Sequence, residues 1–319
     1  MTDVVVAAVV VNFRTPELTI DCVRSLLASD VAGLHVIVVD NASWDGSAEA
    51  FREAFATESR VTVIACEVNA GYTGGNNAGF AAATAMSAPF AFVLNSDTIV
   101  ARDCVRLLIE EAERTPDAAL VVPRIFFGDP PDVLWFGGSR FSLWTGRVTH
   151  VGRKAAAAHG LQARSDIPFA TGCALLVRMD VLRAVGRFDE ALFAYCEDLD
   201  LSLRVRSAGY RVRYVPEATL WHLEGVSHRR AGGQALRIYL HVRNTLRVLH
   251  RHARWYHWFT LGPVYLVDTV ARFIAVSLRD RDLPGVAAVI RGVLHAFTGA
   301  RHPIEPTLRA GNDLSGRNS

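Results

Sequence analysis

Apolar, strand-like runs alternate with helix-like segments along the first hundred residues, and that alternation restricts the fold more than any other feature of the chain. Val4 to Val11 is a continuous β-branched and alanine run, the pattern of a strand buried on both faces of a parallel sheet. Thr15-Pro16-Glu17 reads as a helix start, and Leu18 to Ala28 continues it with helical apolar spacing. Leu34 to Val39 is a second strand, Asp45 to Phe55 a second helix, Val61 to Ala65 a third strand and Pro89 to Leu94 a fourth. This order predicts a parallel sheet with right-handed crossovers, whose ligand lies beyond the carboxyl ends of the strands.

Polar residues stand at those ends. Asn12 follows the first strand, Asp40 and Asn41 the second, Asn69 the third, and Asn95-Ser96-Asp97-Thr98 the fourth. One aspartate after a strand is commonly a turn former or helix cap, but a set at successive strand ends points to a shared ligand. The loop after the first strand lacks a glycine fingerprint, which disfavours a nicotinamide or flavin site. The segment from Asn69 to Gly79 is glycine-rich and precedes a helix expected over Phe80 to Met86. It reads either as a loop that lets a phosphate approach a helix N-terminus or as a tight structural turn. Asp97 can reach a divalent cation that also holds a pyrophosphate, or cap the helix beginning near Arg102.

A second signal is Glu197-Asp198-Leu199-Asp200, which follows the apolar, aromatic run Leu192 to Tyr195. Asp200 and Arg204 have the spacing of an i,i+4 ion pair on a helix. The edge of a buried layer is also where a carboxylate's proton affinity rises enough to make it a base. Between the two signals the pattern is less regular. Ala118 to Pro123 and Thr171 to Val177 read as strands and Met179 to Val185 as a helix ended by Gly186, while Trp135, Phe141 and Trp144 form either an aromatic platform or core.

From Gly225 to Val267 there is no acidic residue but seven arginines, Arg229, Arg230, Arg237, Arg243, Arg247, Arg251 and Arg254. On a helix, Ile238, Val242, Leu246, Leu249 and Ala253 share one face and Arg243, Arg247, Arg251 and Arg254 the other. Such a helix lies on an anionic membrane surface, binds a pyrophosphate-bearing acceptor, or packs on the body with solvated arginines. Trp258 to Leu278 is apolar, but Pro263, Asp268 and Arg272 argue against a simple span, so an interfacial or dimer-forming hairpin with Pro284 to Phe297 is expected. The polar tail from Arg301 is expected to be disordered.

The chain's 319 residues accommodate one large α/β domain with an appendage. A net charge of +2 argues against a general nucleic-acid binder. The five cysteines are scattered and lack a CxxC pair, so neither a disulfide framework nor a zinc knuckle is indicated. With no basic n-region ahead of Val4, the expected setting is cytoplasmic, extending to the inner face of the cell membrane.

The stretches VVVNFRTPE, VVDNASWDGS, NAGYTGGNNAG, LNSDT and TGCALLVRMDVLRAVGRFDEALFAYCEDLDLSLRVRSAGY, with Trp221-His222, occur in order over residues 4 to 225. Together they resemble the family 2 glycosyltransferases of GT-A fold, especially the bacterial rhamnosyltransferase-like branch. The resemblance implies an α/β, Rossmann-like mixed sheet flanked by helices. It implies a catalytic domain at 1–228, with a nucleotide-binding half to residue 100, then appended helices at 229–300 and a tail at 301–319. Asp40 resembles the residue that bonds the nucleobase, with Asn12 and Asn41 in the same pocket. Asn69, Gly71, Gly74, Gly75, Asn76 and Asn95 resemble the wall around ribose and phosphate, and Thr171 and Gly172 fall near the donor sugar. Asp97 and His222 resemble the ligands of a Mg²⁺ or Mn²⁺ ion, although Asn95 replaces the first acid of the family's DxD. Asp198 resembles the catalytic base, with Glu197 and Asp200 as supporting acids.

The implied activity is inverting transfer of a sugar, rhamnose or another deoxyhexose, from a dTDP or UDP donor to a hydroxyl acceptor, lipid-linked or on a growing surface glycan. A metal-dependent sugar nucleotidyltransferase is the alternative, but VVNFRTPE lacks the glycine and lysine expected of its phosphate loop. A non-catalytic nucleotide-sugar-binding protein would keep the sheet and need no base.

Overall fold

The computed structural model describes residues 5–223 and 233–298. Its first half alternates as the sequence predicts: β1 (Val6–Asn12), α1 (Pro16–Leu27), β2 (Leu34–Asp40), α2 (Ser47–Ala54), β3 (Val61–Ala65), α3 (Gly71–Ala85) and β4 (Phe90–Asn95). The four strands are parallel in the order β3-β2-β1-β4. Val6 to Val10 and Val36 to Val39 are wholly buried, which is why these runs carry no polar alternation. Strand order reverses beside β1, and a crevice opens there. The register sets Asn12 opposite Asp40 and Val11 opposite Asn95, so the polar strand ends line up across it.

The second half supplies β5 (Thr98–Val100), α4 (Cys104–Arg114), β6 (Ala118–Phe127), β7 (Leu134–Phe136), the hairpin β8 (Ser139–Phe141) and β9 (Val148–His150), β10 (Ser165–Asp166), β11 (Ala174–Arg178), α5 (Met179–Val185), α6 (Glu197–Ser207) and β12 (Arg211–His222). Because β11 runs antiparallel to β4 and β6, the sheet is mixed. This direction carries the start of β11 back to the end of β4, where the Asn95 amide donates to the Cys173 carbonyl at 2.9 Å. Similarly, β12 runs antiparallel to β5 and brings His222 opposite Thr98.

One expectation is corrected. The glycine-rich segment is not a loop: α3 begins at Gly71, nine residues before Phe80. Its glycines let the helix approach the sheet, since a Cβ on Gly75 would stand 2.7 Å from Val11 Cγ1 and one on Gly79 would collide with Val9. The close approach of Gly75 and Gly79 is to β1, while Gly71 at the start of α3 lies at the crevice.

The C-terminal helices are α7 (Gly233–His252), α8 (Trp258–Tyr265), a π-helical turn (Leu266–Ala271), α9 (Arg272–Arg279) and α10 (Leu283–Phe297). Helix α10 turns back after α9, with Gly285 against Ser277 as the expected hairpin requires, and also packs on α7, with Gly292 against Val242. The arginine face of α7 turns inward over much of its length, while Arg254 just past its end is exposed. Arg243 is wholly buried and donates to the Ala191 and Leu192 carbonyls, Arg247 to the His295 carbonyl, and Arg251 to Asp189 and Asp200. The charges are spent on carbonyls and carboxylates that periodicity alone does not reveal.

Apolar exposure lies elsewhere. Among the described residues, ten of the fourteen exposed large apolar side chains fall between Trp255 and Phe297, among them Phe259, Leu266, Val267, Ile290 and Leu294. The 25-residue helical stretch Trp255–Arg279 is long and apolar enough to cross a membrane by length and composition. Arg229, Arg230, the expected boundary at 228 and the tail from 301 lie outside the described residues.

Candidate active site

Two cavities meet at the start of α6. The first, of about 420 Å³, lies over the carboxyl ends of β1, β2 and β4. Asn41, Asn69, Gly71, Asn95, Asp97, Thr171, Gly172, Glu197, Asp198 and His222 all contribute to its wall, so strand ends, β11 and α6 converge as expected. Asn12, Asp40, Gly74, Gly75 and Asn76 are not part of that wall. Asp40 is held behind it, with Oδ1 accepting from Asn12 Nδ2 at 2.8 Å and from Ser43 Oγ. Asn41 extends the wall by donating to Asn69 Oδ1 and to the Gly71 carbonyl.

Asp97 and His222 face each other at one end. The β5–β12 pairing sets their backbones side by side, and His222 Nε2 lies 3.1 Å from Asp97 Oδ1. Both side chains are buried, and Trp135 packs edge-on to the His222 ring with centroids 4.8 Å apart. Burial opposes charge on the ring, but Cys173 and Asp97 beside it more than offset this and push its pKa up to about 10. A carboxylate oxygen and an imidazole nitrogen this close suit Mg²⁺ or Mn²⁺ that completes its shell with phosphate oxygens and water. Among the described residues no group of three acidic, histidine or cysteine side chains is placed to hold a metal ion.

The carboxylates at the start of α6 diverge in environment. Asp198 Oδ2 accepts from the Gly172 amide at 2.8 Å and Oδ1 from its neighbour Leu199 at 2.7 Å. Burial raises its pKa, while these N–H groups favour its anion. Glu197 is buried with Oε2 lacking any hydrogen-bond partner, and burial, then the adjacent Asp198, push it up to about 8. Both carboxyls thus hold protons more tightly than free ones, and only Asp198 has backbone N–H groups that favour its anion. Asp200 points away from both cavities, accepting from Arg204, Arg251 and His252, and despite burial these donors lower it to about 2. It is a structural anchor, and the expected i,i+4 pair with Arg204 is one arm of it.

Several wall residues were not singled out from sequence. Tyr72 donates its hydroxyl to the Gly172 carbonyl at 2.5 Å, and Arg237 enters the first cavity from α7. Asn244 clamps the segment before α6, where Phe193, Tyr195 and Cys196 all have left-handed backbones with φ of 66°, 70° and 68°. An asparagine among apolar and basic helix residues was its only signal.

A mixed sheet with a strand-end crevice and a paired carboxylate–imidazole defines a GT-A type nucleotide-sugar transferase architecture. Residues 7–186 match the family described as Glycosyl transferase family 2, and the chain belongs to that family. It is 27% identical over 290 residues to N-acetylglucosaminyl-diphospho-decaprenol L-rhamnosyltransferase of Mycobacterium tuberculosis, a match covering 83% of this chain and 92% of that one. It is 36% identical over 85 residues to rhamnosyltransferase WbbL of Escherichia coli K12, covering 27% of this chain and 31% of that protein. A 28% identical match to protein y4gI of Sinorhizobium fredii covers 64% of this chain and 23% of that protein, so the chain spans under a third of these last two relatives. Among solved structures, GalNAc-T7 with UDP, GalNAc and Mn²⁺ superposes with a TM-score of 0.66 at 13% identity, over 94% of this chain and 58% of that one.

Proposed function

We propose that the protein is an inverting glycosyltransferase that moves a sugar from a nucleoside diphosphate to a hydroxyl of a lipid-linked acceptor at a membrane surface. The observation that carries this reading is the junction of two cavities at Asp198. One cavity has the nucleotide-facing wall and the Asp97–His222 pair, and a second, larger cleft reaches the same carboxylate from the other side. The domain boundaries inferred from sequence go with it: a catalytic body to residue 228 and helices beyond that hold the acceptor side.

In this reading Asn41, Asn69 and Gly71 receive the nucleoside and Thr171 and Gly172 the donor sugar. Asp97 and His222 hold Mg²⁺ or Mn²⁺, which when bound neutralises charge building on the leaving diphosphate. Asp198 accepts the proton of the acceptor hydroxyl as its oxygen bonds the anomeric carbon and the bond to the diphosphate breaks. Glu197, whose pKa burial and Asp198 push up to about 8, favours its neutral form beside that base. A single base with no carboxylate nucleophile gives inversion. The names of the mycobacterial and Escherichia coli relatives support rhamnose as the sugar, and the former supports a diphosphate-lipid acceptor.

A screen of nucleoside diphosphate sugars with Mn²⁺ by thermal shift and nucleotide release tests the reading. A dTDP- or UDP-linked deoxyhexose is expected to raise the melting temperature and turn over. Absence of stabilisation by every nucleotide sugar would overturn it.

A further inference from the structure

The second cleft, of about 900 Å³, lies between the β8–β9 hairpin and helices α7 to α9. It meets the first cavity at His150, Tyr195, Glu197 and Asp198. Its far rim includes Val267, part of the exposed apolar face of the Trp255–Arg279 stretch. The cleft therefore runs from the carboxylate pair to a rim where Val267 stands beside Asp268, Thr269 and Arg272.

Basic side chains line the path between them. Arg237 and His241 are one turn apart on α7 and share a face. Arg237 opens into the first cavity, while His241 and Arg272 line the cleft. All three are exposed to these spaces, and among the described residues no carboxylate pairs with any of them. Their proximity shows in His241, whose proton affinity is lowered by surrounding protein and then by the charges of Arg237 and Arg272. The one acid of the cleft's helical wall, Asp268, is already bound to Arg147 from the hairpin, with Arg147 Nε 2.6 Å from Oδ2. Arg243, Arg247 and Arg251 on α7 are spent on carbonyls and carboxylates, whereas Arg237 and Arg272 face the cavities without such a partner among the described residues and are placed to receive an anion.

We propose that Arg237, His241 and Arg272 form a diphosphate subsite for the acceptor, with its prenyl chain leaving across Val267 and the adjoining apolar face. A diphosphate brings at least two negative charges to the fixed charges of Arg237 and Arg272, and arginine forks match phosphate oxygens. The cleft's volume accommodates a diphosphate and one sugar. This placement directs the acceptor sugar toward Asp198 and leaves the Asp97–His222 pair to the donor. It rests on the glycosyl-transfer reading for its purpose, but its ligand can be measured without turnover.

The test is calorimetric titration of the full chain in detergent with geranylgeranyl diphosphate, geranylgeraniol, inorganic pyrophosphate and UDP. Geranylgeranyl diphosphate is expected to bind at least tenfold more tightly than geranylgeraniol, with saturating UDP and Mn²⁺ leaving that affinity within about twofold. Arg272→Gln, at an exposed position, should weaken it at least tenfold with unchanged melting temperature and UDP affinity, whereas Arg279→Gln should not. Competition by UDP would assign the cations to the donor and overturn the proposal, as would equal binding of the diphosphate and the alcohol. Failure of nucleotide sugars to bind, with prenyl diphosphate binding intact, would instead count against the transferase reading alone.

Discussion

The side-chain amide of Asn244 donates to the Tyr195 carbonyl at 3.0 Å, and to the Ala194 and Leu192 carbonyls at 2.7 and 2.8 Å. One residue of α7 thus secures the left-handed segment that delivers Glu197 and Asp198 to the junction of the cavities.

Asn244→Leu is expected to cost about 1–3 kcal/mol, because buried carbonyls lose their donor. The melting temperature should fall by several degrees. Turnover should fall further than the folded fraction explains, with UDP affinity unchanged, since Asn41, Asn69 and Gly71 are held by one another and not by Asn244. Unchanged kcat in the folded variant would show that the clamp has no part in positioning the acids.

Asp97→Ala and His222→Ala should each weaken Mn²⁺ by at least about tenfold when UDP is present. Electron paramagnetic resonance of free Mn²⁺ measures this directly. Wild-type affinity in both variants would remove the pair from the metal site.

Glu197 gives a pH signature whose sign follows from its raised value. Its carboxyl is protonated in the folded protein up to about pH 8 but ionises near 4.5 when unfolded, so its burial is tolerated below 4.5 and becomes destabilising as pH rises toward 8. Glu197→Gln, which stays neutral, should therefore melt at increasingly higher temperature than the wild type between pH 5 and pH 8. A pH-independent difference would mean that Glu197 is ionised in the fold.

The exposed apolar face from Trp255 to Phe297 accompanies nine arginines and three aspartates in residues 233–298. Flotation with anionic vesicles is expected, and Phe259→Ser combined with Leu266→Ser should abolish it. Dimerisation in sedimentation without flotation would assign the face to a second copy of the chain.

Much of the donor side was legible because it is built from strand ends. Val6–Val10 and Val36–Val39 announce themselves as doubly buried strands, and the polar residues that follow inherit their position from the register. The acceptor side was less legible because it depends on strand direction and on contacts distant in sequence. Only the antiparallel return of β11 puts Gly172 beside Asp198, and only α7 packing reveals that Arg243 and Asn244 face inward. Spacing cannot distinguish Asp198 from Asp200. Their surroundings do, two backbone amides at the cavity for one and two arginines with a histidine away from it for the other.

The most direct test is Asp198→Asn, measured for donor affinity and single-turnover transfer on the same preparation. Transfer should fall by about 10²–10⁴-fold while UDP-sugar affinity stays within about twofold. A variant that transfers sugar at the wild-type rate, or that loses the donor in proportion to its activity, would contradict the assignment of Asp198 as the base.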